Sequence, residues 1–495
     1  MKIAFFTSSI GDTDLALGTV KSLENKGHEI ILISLTKTAQ QRMESFHSFS
    51  VKQKVTLSEI LNLKSESSTE VQCTEEQLQQ VADFARSQKI NHAYIGVPST
   101  NIHTPFQIAE ALEDISVLMA YEFMFKPEEH ALWTHLPKLK NMPHIRWAVP
   151  LAGALADLDV GDKADIIGQM SIDNAYLPKP SSEKKPADIK ESLQITKEQS
   201  LTFISSTTQP VKIDATFFDH VLAELPKHPT IQIRFGIHPG IQDLDAYLIQ
   251  ILSIYQKHSD SKQFKIILPD NLVGRIKMPE LTITHPQFGS LFLRVNINGS
   301  EASSVADRVA QAVPGALPNQ SALEGKPIYS HSGKPYLPGQ YFSNSISAFF
   351  TSSPQPIRAK KDLGLDEKTA PQRCAELILN APFHHAVVIL QKHGAVGQAI
   401  IDSMIRLKKG RGSHWNPYWM NSDVKLDRII QAVEALQTTD SLEVILQDKS
   451  SALYLALNMQ RLAPITFLGR LSINHSKTLL AVTDELDKKE MGCSL

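Results

Sequence analysis

Apolar and polar positions along the chain alternate in blocks that predict strands followed by helices. The first block, IAFFTSS at 3–9, is an apolar run that ends in small polar residues, and DTDLALGTVKSLENKG at 12–27 repeats apolar positions at helical spacing. HEIILISL at 28–35 is then continuous and rich in isoleucine, which is typical of a strand buried in a parallel sheet. The chain therefore begins with a strand–helix–strand unit.

The same alternation predicts two α/β domains and a different C-terminal part. Strand and helix patterns continue to residue 176, and residues 177–197 follow with three prolines, many charges and no sustained apolar face, which is typical of a linker. A second alternation covers 198–360 and includes a helix predicted over SSVADRVAQAV at 303–313; residues 361–495 are mostly helical in pattern. We predict two Rossmann-like, doubly wound α/β domains and a helical C-terminal region.

Composition narrows the classes of function. The 495 residues carry a formal net charge of -2, which gives no support for nucleic-acid binding because that would need a basic face. The three cysteines are far apart and odd in number, which favours a reducing compartment over a disulfide framework. No apolar run approaches the ~20 residues of a membrane span, so we expect a soluble cytoplasmic protein without a transmembrane segment.

The second predicted domain contains a candidate nucleotide-binding segment, GALPNQSALEGKPIY at 315–329. Asn319, Gln320 and Ser321 would begin a short helix, whose free N–H groups and dipole suit a phosphate. Glu324 falls one turn later, where a carboxylate could accept hydrogen bonds from ribose hydroxyls. The alternative is an ordinary helix-to-strand turn that ends at a glycine.

Two further segments of this domain end predicted strands. RFGIHPG at 234–240 places Arg234 and His238 at the carboxyl end of one strand, and Ser205, Ser206 and Thr207 follow another. Hydroxyls in a strand-to-helix loop can hold a phosphate or sugar oxygen. The structural alternatives are a packed histidine and a helix cap.

These segments resemble the donor-binding half of the GT-B glycosyltransferases. The family often has a small-residue loop followed by E-A-L-x-x-G-x-P-x-[IV], of which SALEGKPI at 321–328 is a shortened version, and the His-Pro pair at 238–239 resembles the HP motif of bacterial sialyltransferases. The resemblance implies that His238, Arg234, Ser205, Ser206, Thr207, Asn319, Gln320, Ser321 and Glu324 hold a nucleotide-sugar donor.

The resemblance also assigns a role to the loop after the first strand. In GT-B enzymes this loop often supplies the base that removes the acceptor proton, and Gly11-Asp12-Thr13-Asp14 occupies that place. We predict Asp12, ahead of Asp14, as the catalytic base. The alternative is that both aspartates stabilise the N-terminus of a helix.

Several absences favour one reaction over others. No G-x-G-x-x-G follows the first strand, which argues against a nicotinamide dehydrogenase, and no Walker A motif is present. The retaining GT-B pattern would place a second glutamate at position 316, which is Ala316, so inversion is favoured. The family needs no bound metal or cofactor, because a cationic or helix-dipole environment stabilises the leaving nucleotide.

The sequence therefore predicts a bacterial glycosyltransferase of hexosyltransferase type, which moves a sugar from a nucleotide-sugar to a glycan, lipid or protein hydroxyl. Two alternatives remain open: a nucleotide-sugar epimerase, and a non-catalytic protein that binds a partner through its C-terminal helices. Residues 408–419 combine cations with aromatics, which would suit a partner or an acceptor. The charged tail 483–495 is similar to tails on exported bacterial proteins and suggests an effector translocated into a host cell.

Overall fold

A computed structural model of the chain describes residues 1–63, 72–176, 184–208, 210–241, 243–258, 262–278, 289–338, 341–357, 359–409, 422–436, 441–459 and 479–485. The chain divides into two compact units, Met1–Ala375 and Glu376–Leu495. The first unit holds two parallel sheets, and the second is helical. The segment at 410–421, which includes most of the predicted cation and aromatic cluster, and the tail from 486 onward lie outside the described residues.

The strands of the first sheet are β1 (Lys2–Thr7), β2 (Glu29–Ser34), β3 (Val51–Thr56), β4 (His92–Gly96), β5 (Ser116–Ala120), β6 (Ile145–Val149) and β7 (Ala164–Ile166). Their order is β3-β2-β1-β4-β5-β6-β7, and neighbouring strands are parallel. The order reverses between β1 and β4, so the loops after these two strands flank a switch point, where open α/β sheets bind ligands.

The second sheet repeats this arrangement. Its strands are β8 (Ser200–Ser205), β9 (Ile231–Gly236), β10 (Phe264–Ile267), β11 (Phe292–Leu293), β12 (Arg308–Gln311) and β13 (Ile328–Tyr329). They are parallel in the order β11-β10-β9-β8-β12-β13. The predicted pair of Rossmann-like sheets is therefore confirmed.

Helices connect the strands and form the C-terminal unit. They are α1 (Ile10–Ser22), α2 (Lys37–Glu44), α3 (Leu57–Ile60), α4 (Glu75–Ser87), α5 (Thr104–Ala111), α6 (Ala131–Leu139), α7 (Ala152–Leu158), α8 (Met170–Tyr176), α9 (Pro186–Ser192), α10 (Val211–Glu224), α11 (Leu244–Lys257), α12 (Asp270–Val273), α13 (Gly299–Val305), α14 (Ala316–Leu323), α15 (Ile346–Thr351), α16 (Ala370–Gln391), α17 (Gly394–Lys409), α18 (Ser422–Glu434), α19 (Leu442–Gln447) and α20 (Ala452–Asn458). None of the described helices combines the length and the apolar character needed to cross a membrane.

The central strands are buried on both faces, as their continuous apolar sequences predict. Ile3, Phe5 and Phe6 of β1 and Ile31 of β2 have no exposed surface. The edge strand β3 differs because its sequence, VKQKVT, has polar residues at its centre, and these residues are exposed. The apolar pattern that predicts β1 and β2 therefore gives no signal for β3.

The helix predicted over residues 303–313 is wrong in its second half. Helix α13 ends at Val305, and residues 308–311 form β12, which pairs with β8 on one side and β13 on the other. A short apolar run bounded by polar residues fits either a buried strand or a buried helix. Pairing between two neighbouring strands decides in favour of the strand here.

The predicted linker at 177–197 contains structured residues. Helix α9 occupies Pro186–Ser192, and Ile189 and Leu193 are buried in a cluster with Leu201 and Phe203 of β8. This part of the segment therefore packs as a component of the second sheet's core.

The chain returns to the first sheet after completing the second. Buried Asp173 of α8 accepts hydrogen bonds from the Lys360 ammonium at 2.7 Å and the Ala370 N–H at 2.6 Å. Helix α16 begins at this point, and Pro371 lies so close to Gly18 of α1 that a Cβ on Gly18 would approach it to 2.8 Å. The first α/β domain is thus covered by residues from two distant parts of the chain.

The second unit has its own apolar core. Ile400 and Met404 of α17 and Leu426 and Ile429 of α18 are buried together in it. Buried Lys425 donates hydrogen bonds to the carbonyls of Leu457 at 2.8 Å and Met459 at 2.7 Å, at the C-terminus of α20. The predicted helical C-terminal region is confirmed in the described residues.

A substitution at Gly325 tests the turn after α14. This residue has a φ of +84°, and a Cβ would collide with the carbonyl oxygen of Gln355, whose N–H donates to the Gly325 carbonyl at 2.7 Å. Gly325→Ala should lower the free energy of unfolding by about 3 kcal/mol, because backbone strain and overpacking add. Urea titration measures the loss.

Gly364→Ala is the matched control, because Gly364 has a φ of +74° and a Cβ added to it would meet no atom within 4 Å. It should cost about 1 kcal/mol, from the backbone alone. Equal losses in the two variants would contradict the predicted collision.

Candidate functional site

A pocket of about 510 Å³ lies at the carboxyl edge of the second sheet. It is lined by residues that follow β8, β9, β10 and β11 and by the start of α13, including Ser205, His238, Ile267, Pro269, Asn271, Leu272, Asn296, Asn298, Ser300 and Leu317. Lys184 and Glu301 also line it and form an ion pair at 3.2 Å. The pocket thus combines apolar walls with amides, hydroxyls and a cation.

His238 is held at the pocket by bonds to both its backbone and its ring. Its N–H donates to the Ser206 hydroxyl at 2.6 Å, and its ring Nδ1 accepts from the Gly240 N–H at 3.0 Å. Burial lowers the pKa of His238 below its ordinary value, which favours the neutral ring. The free ring nitrogen, Nε2, can therefore donate a hydrogen bond to an oxygen of a bound molecule.

A buried carboxylate holds the loop that carries Ser205, Ser206 and Thr207. Asp214 of α10 accepts hydrogen bonds from the Thr207 N–H at 2.9 Å, the Thr207 hydroxyl at 2.8 Å and the Tyr247 hydroxyl at 2.7 Å. Ser205 lines the pocket, whereas Ser206 and Thr207 support the loop. The Ser205 hydroxyl also donates to the Ser206 carbonyl at 3.1 Å, so all three of these predicted donor residues have hydrogen bonds within the domain.

Arg234 lies elsewhere. Its buried guanidinium donates to the carbonyls of Leu193 at 2.6 Å, Gln194 at 3.1 Å and Gln263 at 3.2 Å, and Gln263 precedes β10. These carbonyls are at the opposite edge of the sheet from the pocket, so we correct the predicted donor role of Arg234 to a structural one. The prediction grouped Arg234 with His238 because the two residues are close in sequence. The Arg234 side chain instead extends away from His238, toward the carbonyls near 193 and 263.

The side chains predicted to bind the donor from α14 form hydrogen bonds with nearby residues of the second domain. Asn319 Nδ2 donates to the carbonyls of Pro314 at 2.6 Å and Gly315 at 2.7 Å, and Gln320 donates to Glu324 at 3.1 Å. The Ser321 hydroxyl pairs with Ser303 at 3.0 Å. Of α14, Leu317 lines the pocket. Asn319, Gln320, Ser321 and Glu324 are not among the lining residues, and their donor roles remain predictions.

At the edge of the first sheet, Asp12 caps α1. Its carboxylate accepts from the Ser8 N–H at 2.8 Å, the Ser9 N–H at 2.7 Å and the Ser9 hydroxyl at 2.7 Å. The Asp12 side chain also packs against Gly96 at the end of β4, and a Cβ added to Gly96 would lie 2.5 Å from it. These contacts favour the helix-cap interpretation, and the role of base remains a prediction.

Asp14 and Glu122 lie near Asp12 but in different environments. Asp14 forms an ion pair with Arg42 at 2.5 Å and is partly exposed. Glu122 follows β5, and a Cβ on Gly11 would approach its carboxyl oxygen to 2.6 Å. Burial, with the charges of Asp12 and Asp14, raises the pKa of Glu122 well above its ordinary value, which favours the protonated carboxyl.

The two carboxyl edges are joined by the segments that follow β5 and β13. The Tyr336 N–H donates to the Met124 carbonyl at 2.9 Å, and the hydroxyls of Tyr121 and Tyr336 are 2.9 Å apart. Val313, which follows β12, is buried in the core of the first domain. The edge that carries Glu122 and the edge that carries the pocket thus belong to adjoining parts of one unit.

Sequence reasoning missed Glu122. Its signal was available, because the residue comes two positions after the apolar strand SVLMA, where parallel strands end at the ligand-binding edge. What the sequence could not show is its close approach to Gly11 and its charge interactions with Asp12 and Asp14, more than 100 positions away.

No protein-family model matches the sequence, and a search of curated proteins finds no match. Solved structures do show similarity. S. aureus MnaA in complex with UDP is 12% identical, with a TM-score of 0.48, and the match covers 77% of this chain and 95% of that one. A putative UDP-N-acetylglucosamine 2-epimerase from Listeria monocytogenes is 10% identical, with a TM-score of 0.47 and coverage of 78% and 96%.

A glycosyltransferase from Rickettsia africae is also similar, at 10% identity and a TM-score of 0.43, with coverage of 66% of this chain and 78% of that one. At these TM-scores each likeness is partial. The architecture of two Rossmann-like sheets follows from the strand orders of this chain.

The pH dependence of stability tests the buried state of Asp12. Burial raises the pKa of Asp12 from 3.8 to about 6 in the folded protein, so the folded state takes up this proton before the unfolded state as the pH falls. Lowering the pH from about 7 to about 5 should therefore add about 1 kcal/mol to the free energy of unfolding. Raising the pH back through about 6 should remove this added stability. Asp12→Asn should lack this gain in urea titrations.

Asp14→Asn is the matched control, since it alters a carboxylate on the same helix and leaves Asp12 intact. It should retain the Asp12 gain. An identical gain in wild type and Asp12→Asn would show that the Asp12 carboxyl does not titrate as a buried group.

Proposed function

We propose that this protein is a glycosyltransferase that moves a sugar from a nucleotide-sugar to a hydroxyl-bearing acceptor. The observation that carries the proposal is the pocket of about 510 Å³ at the carboxyl edge of one Rossmann-like sheet, joined to the carboxyl edge of a second. Pockets of this size and position bind nucleotides in open α/β sheets.

The pocket lining matches the parts of a nucleotide. Ile267, Leu272 and Leu317 provide apolar surface for a base, and Ser205 and Asn298 provide groups for ribose hydroxyls. Lys184 is the cation of this lining and would offset the charge of a diphosphate, although its ion pair with Glu301 must first rearrange.

The first domain would hold the acceptor. Burial raises the pKa of the Glu122 carboxyl, and in its protonated form this group can donate a hydrogen bond to an acceptor or sugar oxygen. In the transfer, the acceptor oxygen bonds to the anomeric carbon while the bond from that carbon to the phosphate oxygen breaks, and the acceptor proton passes to a base of this chain. The nucleotide leaves with the electron pair, and the configuration inverts.

A nucleotide-sugar epimerase is the second candidate. The observation that favours it is the acidic group at the first edge, where Glu122, whose pKa burial raises, lies near Asp12 and Asp14. Such groups could act as acid and base on the sugar itself. The glycan, lipid or protein acceptor of a transferase would then be unnecessary.

Nucleotide binding is the first test. In a thermal-shift screen with UDP, GDP, CMP and dTDP sugars, one nucleotide series should raise the melting temperature, because a ligand at 100 times its dissociation constant adds about 2.7 kcal/mol. Gly299→Leu should abolish this shift, because Gly299 lines the pocket and an added Cβ meets no atom closer than 3.8 Å, so the larger side chain fills the pocket.

Gly274→Leu is the matched control, since Gly274 is outside the pocket lining and an added Cβ meets only a carbonyl oxygen at 3.8 Å. It should retain the shift. No shift with any of the four series would instead favour a non-catalytic protein. For a series that binds, chromatography of the products separates the two enzymes: a transferase releases nucleotide, and an epimerase converts the bound sugar to its isomer.

A further inference from the structure

A chain of three polar side chains runs between α5 and α6 toward the carboxyl edge of the first sheet. His103 ends the loop after β4 and precedes α5, Glu110 lies near the end of α5, and His135 lies on α6. The Nδ1 atom of His103 is 3.0 Å from Nε2 of His135, and Nδ1 of His135 is 2.7 Å from a carboxylate oxygen of Glu110. The carboxylate and both rings thus form one continuous hydrogen-bonded line.

The chemistry of the bonds fixes the direction of this line. A carboxylate accepts, and hydrogen bonds from His135 and Lys138 lower the pKa of Glu110 against its burial, so Glu110 is ionised and His135 donates through Nδ1. When the His135 ring carries its one proton on Nδ1, its Nε2 has a lone pair that accepts from Nδ1–H of His103. The remaining nitrogen of His103, Nε2, is left with a lone pair.

The surroundings hold the two rings in place. His135 stacks on Phe106 with ring centroids 5.5 Å apart and an interplanar angle of 24°. Glu110 also accepts from the Lys138 ammonium at 2.8 Å, which fixes the carboxylate. His103 is partly exposed, and in the described part of the chain its Nε2 has no hydrogen-bond partner.

His103 lies at the carboxyl edge of the first sheet. Its loop begins at Val97, whose N–H bonds to Ala120 at the end of β5, and Ser99 of the loop donates its N–H to the Ser9 hydroxyl at 3.3 Å. The loops after β1, β4 and β5 are therefore connected there. His103 shares this edge with Asp12 and Glu122.

Other basic groups at this edge are already engaged. His130 uses both ring nitrogens, Nε2 toward the Pro98 carbonyl at 3.0 Å and Nδ1 toward the Leu132 N–H at 3.2 Å, and burial lowers its pKa to about 4. The Asp12 carboxylate accepts three hydrogen bonds, and burial raises the pKa of Glu122 well above its ordinary value. His103 differs from all three because its outer nitrogen is an unoccupied proton acceptor.

We propose that Nε2 of His103 is the catalytic base that accepts the acceptor's proton, with His135 and Glu110 as the residues that position it. This inference rests on the proposed glycosyl transfer. The acceptor O–H proton moves to Nε2, the acceptor oxygen bonds to the anomeric carbon, and the bond to the departing phosphate oxygen breaks with its electron pair. The imidazolium is stabilised through His135 by Glu110 and then returns its proton to water.

Kinetics test the base, with UDP-N-acetylglucosamine as the donor probe and water as the acceptor, by measuring UDP release. His103→Gln should lower kcat by about 100-fold, because general bases contribute factors of this order, and leave the donor KM within about twofold. His47→Gln, which changes an exposed histidine of the same domain, should match wild type. Loss of activity in Asp12→Asn with full activity in His103→Gln would overturn the proposal.

The pH profile tests the positioning residues. The rate should rise with pH as His103 loses its proton, and this limb should vanish in His103→Gln. Glu110→Gln should lower kcat by about tenfold and move the limb to lower pH, because the imidazolium loses its carboxylate support. The charged and titratable groups around His103 are His130, His135, Glu110 and Lys138, so an unchanged limb in Glu110→Gln would contradict the relay.

A spectroscopic measurement separates failure of the relay from failure of the proposed function, because it needs no donor. In ¹⁵N-histidine NMR spectra of the full chain at neutral pH, with signals assigned through His103→Gln, His103 should carry its proton on Nδ1. In Glu110→Gln this preference should weaken. A proton on Nε2 of wild-type His103 would overturn the proposal, whereas the expected tautomer without any UDP release would point to a different donor or reaction.

Discussion

The contact between the segments after β5 and β13 is the interaction on which the candidate site depends. All strands of each sheet are parallel, so each sheet has one edge where its strands end, and ligand-binding loops gather there. The Tyr336 N–H bond to Met124 and the Tyr121–Tyr336 hydroxyl pair join these two edges directly. Without this contact, the pocket of the second sheet and the buried carboxyl groups at the edge of the first would be two unrelated surfaces.

Both domains fix the loop after their first strand in the same way. In the first domain, Asp12 of α1 accepts hydrogen bonds from backbone and hydroxyl groups of the loop after β1, and in the second, Asp214 of α10 does so for the loop after β8. Burial raises the pKa of each carboxyl. Each sheet thus uses a costly buried carboxylate to hold a loop that would otherwise leave its N–H groups unpaired.

The sequence predicts the architecture well because parallel strands such as β1 and β2 have continuous apolar sequences and helices follow them at regular spacing. It fails where the decisive contact is distant in sequence. Residues 308–311 form a strand only because β8 and β13 lie on either side, and Arg234 turns away from the pocket toward carbonyls near 193 and 263. His103 ends the loop before α5, Glu110 lies on α5 and His135 lies on α6, and no local pattern relates their side chains.

Asp173 has a consequence for motion between the two domains. The segment that leaves the first domain and the segment that returns to it meet there, since Asp173 on α8 binds Lys360 and the Ala370 N–H. One carboxylate therefore holds both connections at a single point. Rotation about Asp173 would leave these bonds intact, whereas separation of the two domains would break them.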